Sequence, residues 1–145
     1  MLRDIVTTRL IKTEDLNHHG TLFAGRMAEW FVESCFLAAC NLIRKPEDIV
    51  CVQIHGMTFK KPATRGDVIE IISTIAALGE KSITVSGKVL VNNSPDSAID
   101  GMATFVTVDE YGKPYAHGFT LSEEYIAANR EIYEKALILK QKSNK

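Results

Sequence analysis

The sequence predicts an α+β domain: one long central helix wrapped by a curved antiparallel sheet, with a further helix at the C-terminus. Three observations carry this. The stretch from Leu22 to about Ile43 is apolar on nearly every face, with Met27, Trp30, Phe31, Val32, Phe36, Leu37 and Leu42 and Ala at four positions between, which is the composition of a buried helix. Four later segments, Val50 to Lys60, Asp67 to Ala77, Ser82 to Asn92 and Ala98 to Asp109, are rich in Val, Ile and Thr, as strands are. No helical pattern separates them, so they should join by antiparallel connections and not by βαβ crossovers.

The remaining elements follow in order. Asp4 to Lys12 mixes Ile5, Val6, Thr7, Thr8, Leu10 and Ile11, a β-branched run that suits a first strand. Polar residues from Thr13 to Gly20 break it. The helix should stop before Arg44-Lys45-Pro46, because proline disfavours helical geometry in the residue before it and lacks an N–H. Pro62 to Gly66, Gly79-Glu80-Lys81 and Asn92 to Pro95 read as the turns between strands. Ser122 to Lys140 reads as one helix with Ser122 as its N-cap and Tyr125, Ile126, Ile132, Tyr133, Ala136 and Leu137 at helical spacing.

The 145 residues fit a single domain spanning 1–145, and 46% hydrophobic residues supply a core. The 17 basic and 18 acidic residues cancel to −1, which argues against a nucleic-acid partner. No run approaches the roughly 18 to 20 apolar residues of a membrane span, so a cytoplasmic protein is expected. Cys35, Cys40 and Cys51 are odd in number, lack metal-site spacing and sit among apolar residues, which suggests reduced, buried thiols. His18 and His19 are adjacent, point in different directions and have no acidic cluster to complete a metal site. His55 and His117 read as structural, in a strand and near a strand end.

The segment Asn17-His18-His19-Gly20-Thr21-Leu22-Phe23-Ala24-Gly25 is a polar loop running into the buried helix. A helix N-terminus offers unpaired N–H groups and a positive dipole end, which can hold a carbonyl oxygen as it becomes an oxyanion. Gly25 would let a substrate approach that backbone closely.

This segment, with Met57-Thr58-Phe59-Lys60-Lys61-Pro62, Arg65-Gly66-Asp67 and the run Phe105 to Pro114, resembles the acyl-CoA hydrolase branch of the hotdog-fold thioesterases. The blocks span about two thirds of the chain in the family's order. The resemblance implies a hotdog fold, hydrolysis of fatty acyl-CoA to free acid and CoA, no cofactor apart from the coenzyme A of the substrate, and no metal. It implies homodimers or trimers of dimers with sites at subunit interfaces, Asn17 coming from one chain and the carboxylate from its neighbour. Asn17 matches the loop Asn that positions water or thioester, and Gly25 the glycine whose amide lies at the oxyanion site. Lys60, Lys61 and Arg65 fall where CoA phosphates are contacted.

The chain departs from the pattern where the family carries its helix Asp. Val32 stands there, followed by Glu33, and Ala24 replaces the first glycine of a pair. Glu33 is one methylene longer than Asp but about 100° further round the helix, so a local bulge or a late helix entry would have to rotate it into the site. Glu29, about 60° from Val32, is the alternative. A charge on an apolar helix needs a partner or a function. The expected mechanism has Glu33 activate water against a carbonyl held by Gly25 and Asn17. Val32 also motivates a different reading, a non-catalytic acyl-CoA-binding hotdog subunit. A hotdog dehydratase would require a loop His in a proline-rich context, which is absent.

Overall fold

A computed structural model describes residues 2–143. Strand β1 (Ile5–Leu10) is followed by helix α1 (Ala24–Ile43), strands β2 (Ile49–Phe59), β3 (Val68–Leu78), β4 (Ser82–Val91) and β5 (Ile99–Thr107), and helices α2 (Glu123–Ala128) and α3 (Arg130–Ser143). Helix α1 starts two residues later than the apolar pattern suggests. The Leu22 N–H is given to the Ala63 carbonyl at 2.8 Å, and Phe23 stays extended at φ −64, ψ 128. At the other end Arg44 is left-handed, with φ 61, and its N–H donates to Cys40 O at 2.8 Å, closing the helix before Pro46.

All four strand pairings are antiparallel, in the order β1-β3-β4-β5-β2. The expected sheet curved around the helix is not what the strands form. The sheet is open, with β1 and β2 at its two ends and no ladder between them. Helix α1 lies across one face, burying Met27, Phe31, Cys35 and Ala38 against Ile69, Ile71, Val85, Val89 and Phe105. Its outer stripe, with Glu29, Glu33 and Leu37, is exposed. Five strands fall short of the roughly eight at which a small barrel closes, so the helix is covered and not enclosed.

The other face of the sheet takes α3, through a small cluster of Ala76, Ala77, Met102 and Ala136. The C-terminal segment is two helices and not the single one expected. The break falls at Asn129, which is non-helical (φ −124, ψ 32) and whose Nδ2 donates to Tyr125 O at 3.0 Å, the local side-chain bond that makes Asn a poor helix interior residue. Ser122 is the N-cap as anticipated, accepting the Tyr125 N–H at 3.1 Å.

Contact between α1 and the sheet is set by a single ring. Gly87 of β4 and Gly101 of β5 are directly paired, and Phe31 sits over both: an added Cβ would lie 2.5 Å from the ring at Gly87 and 3.0 Å from it at Gly101. Glycines inside strands mark such close approaches. Gly87→Ala should therefore destabilise the fold by about 1–3 kcal/mol through overpacking. Phe31→Leu introduced alongside should recover part of that loss, so the double variant will be less destabilised than the sum of the two single variants in denaturant titration. Strict additivity would show that the ring and the glycine are not coupled.

Candidate active site

Asn17 organises the loop that precedes α1. Its Nδ2 donates to Thr21 Oγ1 at 2.9 Å, and its Oδ1 accepts the amides of His19 at 2.8 Å and Thr21 at 3.2 Å. The loop is stapled to the β2–β3 connection by Thr64 Oγ1 donating to Gly20 O at 2.8 Å. Most of the Asn17 side chain is thus committed to the loop itself, with one Nδ2 proton remaining for a ligand.

The residue capping α1 is Phe23, whose side chain accepts no hydrogen bond, and no acidic residue lies in the first turn. The first helical bond is Met27 N–H to Phe23 O at 3.0 Å. The amides of the first turn, Gly25 included, are therefore available at the positive end of the helix dipole. The Phe23 ring lies over Gly25, where a Cβ would meet it at 2.7 Å.

One face of α1 carries Gly25, Glu29, Val32, Glu33 and Phe36, which with Ile49, Cys51 and Phe105 line an open cleft of about 540 Å³. All three residues the sequence singled out on the helix, Gly25, Glu33 and the alternative Glu29, thus line one cleft. Asn17 does not line it. The bulge considered for Glu33 does not occur, since α1 is continuous from Ala24 to Ile43. Val32 packs against the core. Glu33 is held by Arg9, whose Nη2 donates to its Oε1 at 2.8 Å. Glu29 is more open, with a side chain 70% exposed and Arg26 at 3.8 Å.

Lys60 and Lys61 line a second, more enclosed cavity of about 300 Å³ beside Thr21, Leu22, Met27 and Phe59. Each has an acidic neighbour: Lys60 is bonded to Asp100 and Lys61 lies 3.6 Å from Asp96. Burial would raise the Asp100 pKa, but hydrogen bonds from Lys60 and Ser97 and the Lys60 charge bring it below the ordinary carboxylate value. Arg65 is exposed on the turn and does not line this cavity.

A profile of the thioesterase superfamily matches residues 19–95, just over half of the chain. The chain belongs to the thioesterase superfamily. Among similar thioesterase sequences, the acyl-CoA thioester hydrolase YciA of Escherichia coli K12 is 26% identical over 122 residues, covering 78% of this chain and 89% of that protein. The hexameric thioesterase of Yersinia pestis superposes with a TM-score of 0.72 at 27% identity, over 83% of this chain and 96% of that one. An acyl-CoA hydrolase variant from Staphylococcus aureus shares the fold, with a TM-score of 0.82 at 22% identity over 97% of this chain and 87% of that one.

Two groups in this thioesterase chain escaped the sequence reading. Asp15 is buried, at 4% exposure. It accepts the Lys12 amide at 2.9 Å and lies 3.4 Å from Arg26 Nε, joining the Asn17 loop to the first turn of α1. Its acidic, turn-rich neighbourhood looked like ordinary surface loop. Arg9 was passed over because it stands in a strand pattern. The four histidines differ in their surroundings. The exposed rings of His18 and His19 lie with centroids 4.0 Å apart, tilted by 44°. His117 uses both ring nitrogens, on Ser82 O and the Phe119 amide. His55 bonds Thr104 Oγ1 at 2.6 Å and has its pKa lowered by burial. Among the described residues, no cluster of three His, Cys, Asp or Glu is placed to hold a metal ion, and no helix is long and apolar enough to cross a membrane.

The expectation of three buried thiols needs correction: Cys35 is buried, Cys40 is half-buried and Cys51 is exposed on β2. Burial pushes the Cys35 thiol up to about 12 and raises Cys40 as well. A raised pKa keeps the thiol protonated and unreactive until pH climbs towards that value. Alkylation of the native protein at neutral pH, read by mass spectrometry, should leave Cys35 unmodified until the protein unfolds. Rapid native labelling of Cys35 would contradict its burial.

Proposed function

We propose that the chain hydrolyses fatty acyl-CoA to free acid and CoA, and that a carboxylate of α1 is the base. The observations that support this reading are the uncapped first turn of α1, which leaves the Gly25 amide available, and the exposed carboxylates of Glu29 and Glu33 further along the same helix. Water adds to the thioester carbonyl as the carboxylate takes its proton. The oxyanion is met by the Gly25 amide, and the free Nδ2 proton of Asn17 orients the reacting group. The C–S bond then breaks and the thiolate leaves with a proton. Lys60, Lys61 and Arg65 are assigned to the CoA phosphates, for which fixed cations are suited.

Helix geometry constrains which carboxylate acts with which amide. Glu33 lies eight residues beyond Gly25, about 12 Å along the axis, too far for both to address one carbonyl within a single chain. Glu29 is four residues on, about 6 Å. If Glu33 is the base, the oxyanion loop must come from a second subunit. Strand β2 supports such pairing: it is an eleven-residue free edge that exposes Val50, Val52 and Ile54, and long apolar edges invite another strand. We assign the chain to a homodimer, or a trimer of dimers, built through this edge.

The helix position occupied by Val32 favours one other reading. Val32 is apolar and packed, so a subunit that binds acyl-CoA without cleaving it would release no thiol on any chain length. Purified wild-type protein should instead release free thiol from acyl-CoA, and Glu33→Ala should lower kcat by about 100-fold or more with the fold intact. Full activity in that variant together with its loss in Glu29→Ala would transfer the role to Glu29. Mixing inactive Asn17→Ala and Glu33→Ala subunits should restore part of the activity, because one hybrid site then contains both wild-type groups. Failure of hybrids to recover would place the whole site in one chain.

A further inference from the structure

We propose that Arg9 of β1 is a positioning residue that holds the Glu33 carboxylate in its catalytic geometry; this rests on the assignment of Glu33 as the base. Strand β1 alternates, with Ile5, Thr7 and Arg9 half-buried on the helix side and Val6, Thr8 and Leu10 exposed on the other. An arginine on the core-facing side of a strand is costly unless its guanidinium is paired. Here it has two partners, both on α1. Its Cζ lies 5.3 Å from the centroid of the Trp30 ring, and its Nη2 donates to Glu33 Oε1 at 2.8 Å. Trp30 is buried, at 8% exposure, so the platform beneath the guanidinium is itself fixed.

The strand that delivers Arg9 is locked in register with the helix that delivers Glu33. Two residues before Arg9, Thr7 Oγ1 bonds Ser34 Oγ at 3.1 Å, and Ser34 bonds Ser73 Oγ of β3 at 2.9 Å. Ser34 and Ser73 are fully buried, and this hydroxyl chain sits one residue along α1 from Glu33. The Arg9 bond occupies Oε1 and leaves Oε2 for the water. Glu29 lacks comparable support, because its neighbour Arg26 is at 3.8 Å and also serves Asp15. A glutamate has three side-chain torsions, and an exposed ion pair contributes little to stability; what Arg9 supplies is a fixed direction for the carboxylate. Misplacing a reacting group by about 1 Å costs on the order of 100-fold in rate.

The test is steady-state acyl-CoA hydrolysis by wild type, Arg9→Ala, Arg9→Lys, Glu33→Gln and the Arg9→Ala/Glu33→Gln double variant. Arg9→Ala should lower kcat by about 10- to 100-fold while KM stays within about twofold, and Arg9→Lys, which keeps the stem and the charge but not the planar fork, should lose less. In the Glu33→Gln background the Arg9 change should cost nothing further. Millimolar methylguanidine should restore part of the Arg9→Ala activity and none of the double variant's. Unchanged kcat in Arg9→Ala, or the same fractional loss in both backgrounds, overturns the proposal while leaving Glu33 as the base. If wild type cleaves no acyl-CoA, or Glu33→Gln is as active as wild type, the functional assignment fails and takes the positioning role with it.

Discussion

The seating of Phe31 in the gap left by Gly87 and Gly101 determines the rotation of α1 on its sheet, and the chemistry of the molecule follows from that rotation. With Phe31 fixed, Met27, Ser34, Cys35 and Ala38 are also buried, because they lie on the same side of a helix that turns about 100° per residue. Val32 is left at the margin of the core. Glu29 and Glu33 must then face outward, into the cleft that begins at Gly25. No alternative phase would bury Phe31 and expose Val32 without also driving a carboxylate into the apolar face. The same contact fixes the depth of the helix, since the paired glycines bring the backbones of β4 and β5 against the ring.

An open sheet has consequences that a closed one would not. With β1 and β2 each paired on one side only, at the two ends of the sheet, one edge supplies a guanidinium to the outer stripe of α1 and the other exposes Val50, Val52 and Ile54. The edges therefore divide the work. Strand β1 is short, carries Arg9 and is tied to α1 through Thr7 and Ser34. Strand β2 is long and apolar, and its pairing with β5 shifts register between Ile54 and Met57, where Gly56 takes φ +108. The first edge orders a side chain, whereas the second is suited to recruiting another chain.

Much of this was legible in the residues. The strands, the long helix and its stop before Pro46 follow from β-branched runs and proline chemistry, and the loop at Asn17 from its glycines and polar residues. The sheet's failure to wrap the helix was not legible, because strand composition is the same in open and closed sheets and only pairing distinguishes them. Nor was the break at Asn129, since the apolar spacing continues across it and the decisive event is one side-chain hydrogen bond. Asp15 and Arg9 were missed for a related reason. The setting of an ionic group depends on partners brought together from distant positions, Arg26 for buried Asp15 and Trp30 and Glu33 for half-exposed Arg9, and no local pattern announces such pairs.

The same long-range pairing bears on how a helix that has Val32 in place of a carboxylate can still present one. A displaced base must be compensated either by the backbone, through a change of helix phase, or by its surroundings. No bulge supplies the backbone route, because α1 runs without interruption from Ala24 to Ile43 and Phe31 seats it against Gly87 and Gly101. A glutamate one position further on is about 100° away, and its extra methylene adds reach together with freedom that a base must not have. That freedom can be removed only by a group fixed relative to the same helix. Arg9, resting on buried Trp30 and carried by a strand bonded to Ser34, is such a group, so under the proposed assignment of Glu33 the valine on α1 and the arginine on the inner side of β1 are two parts of one arrangement.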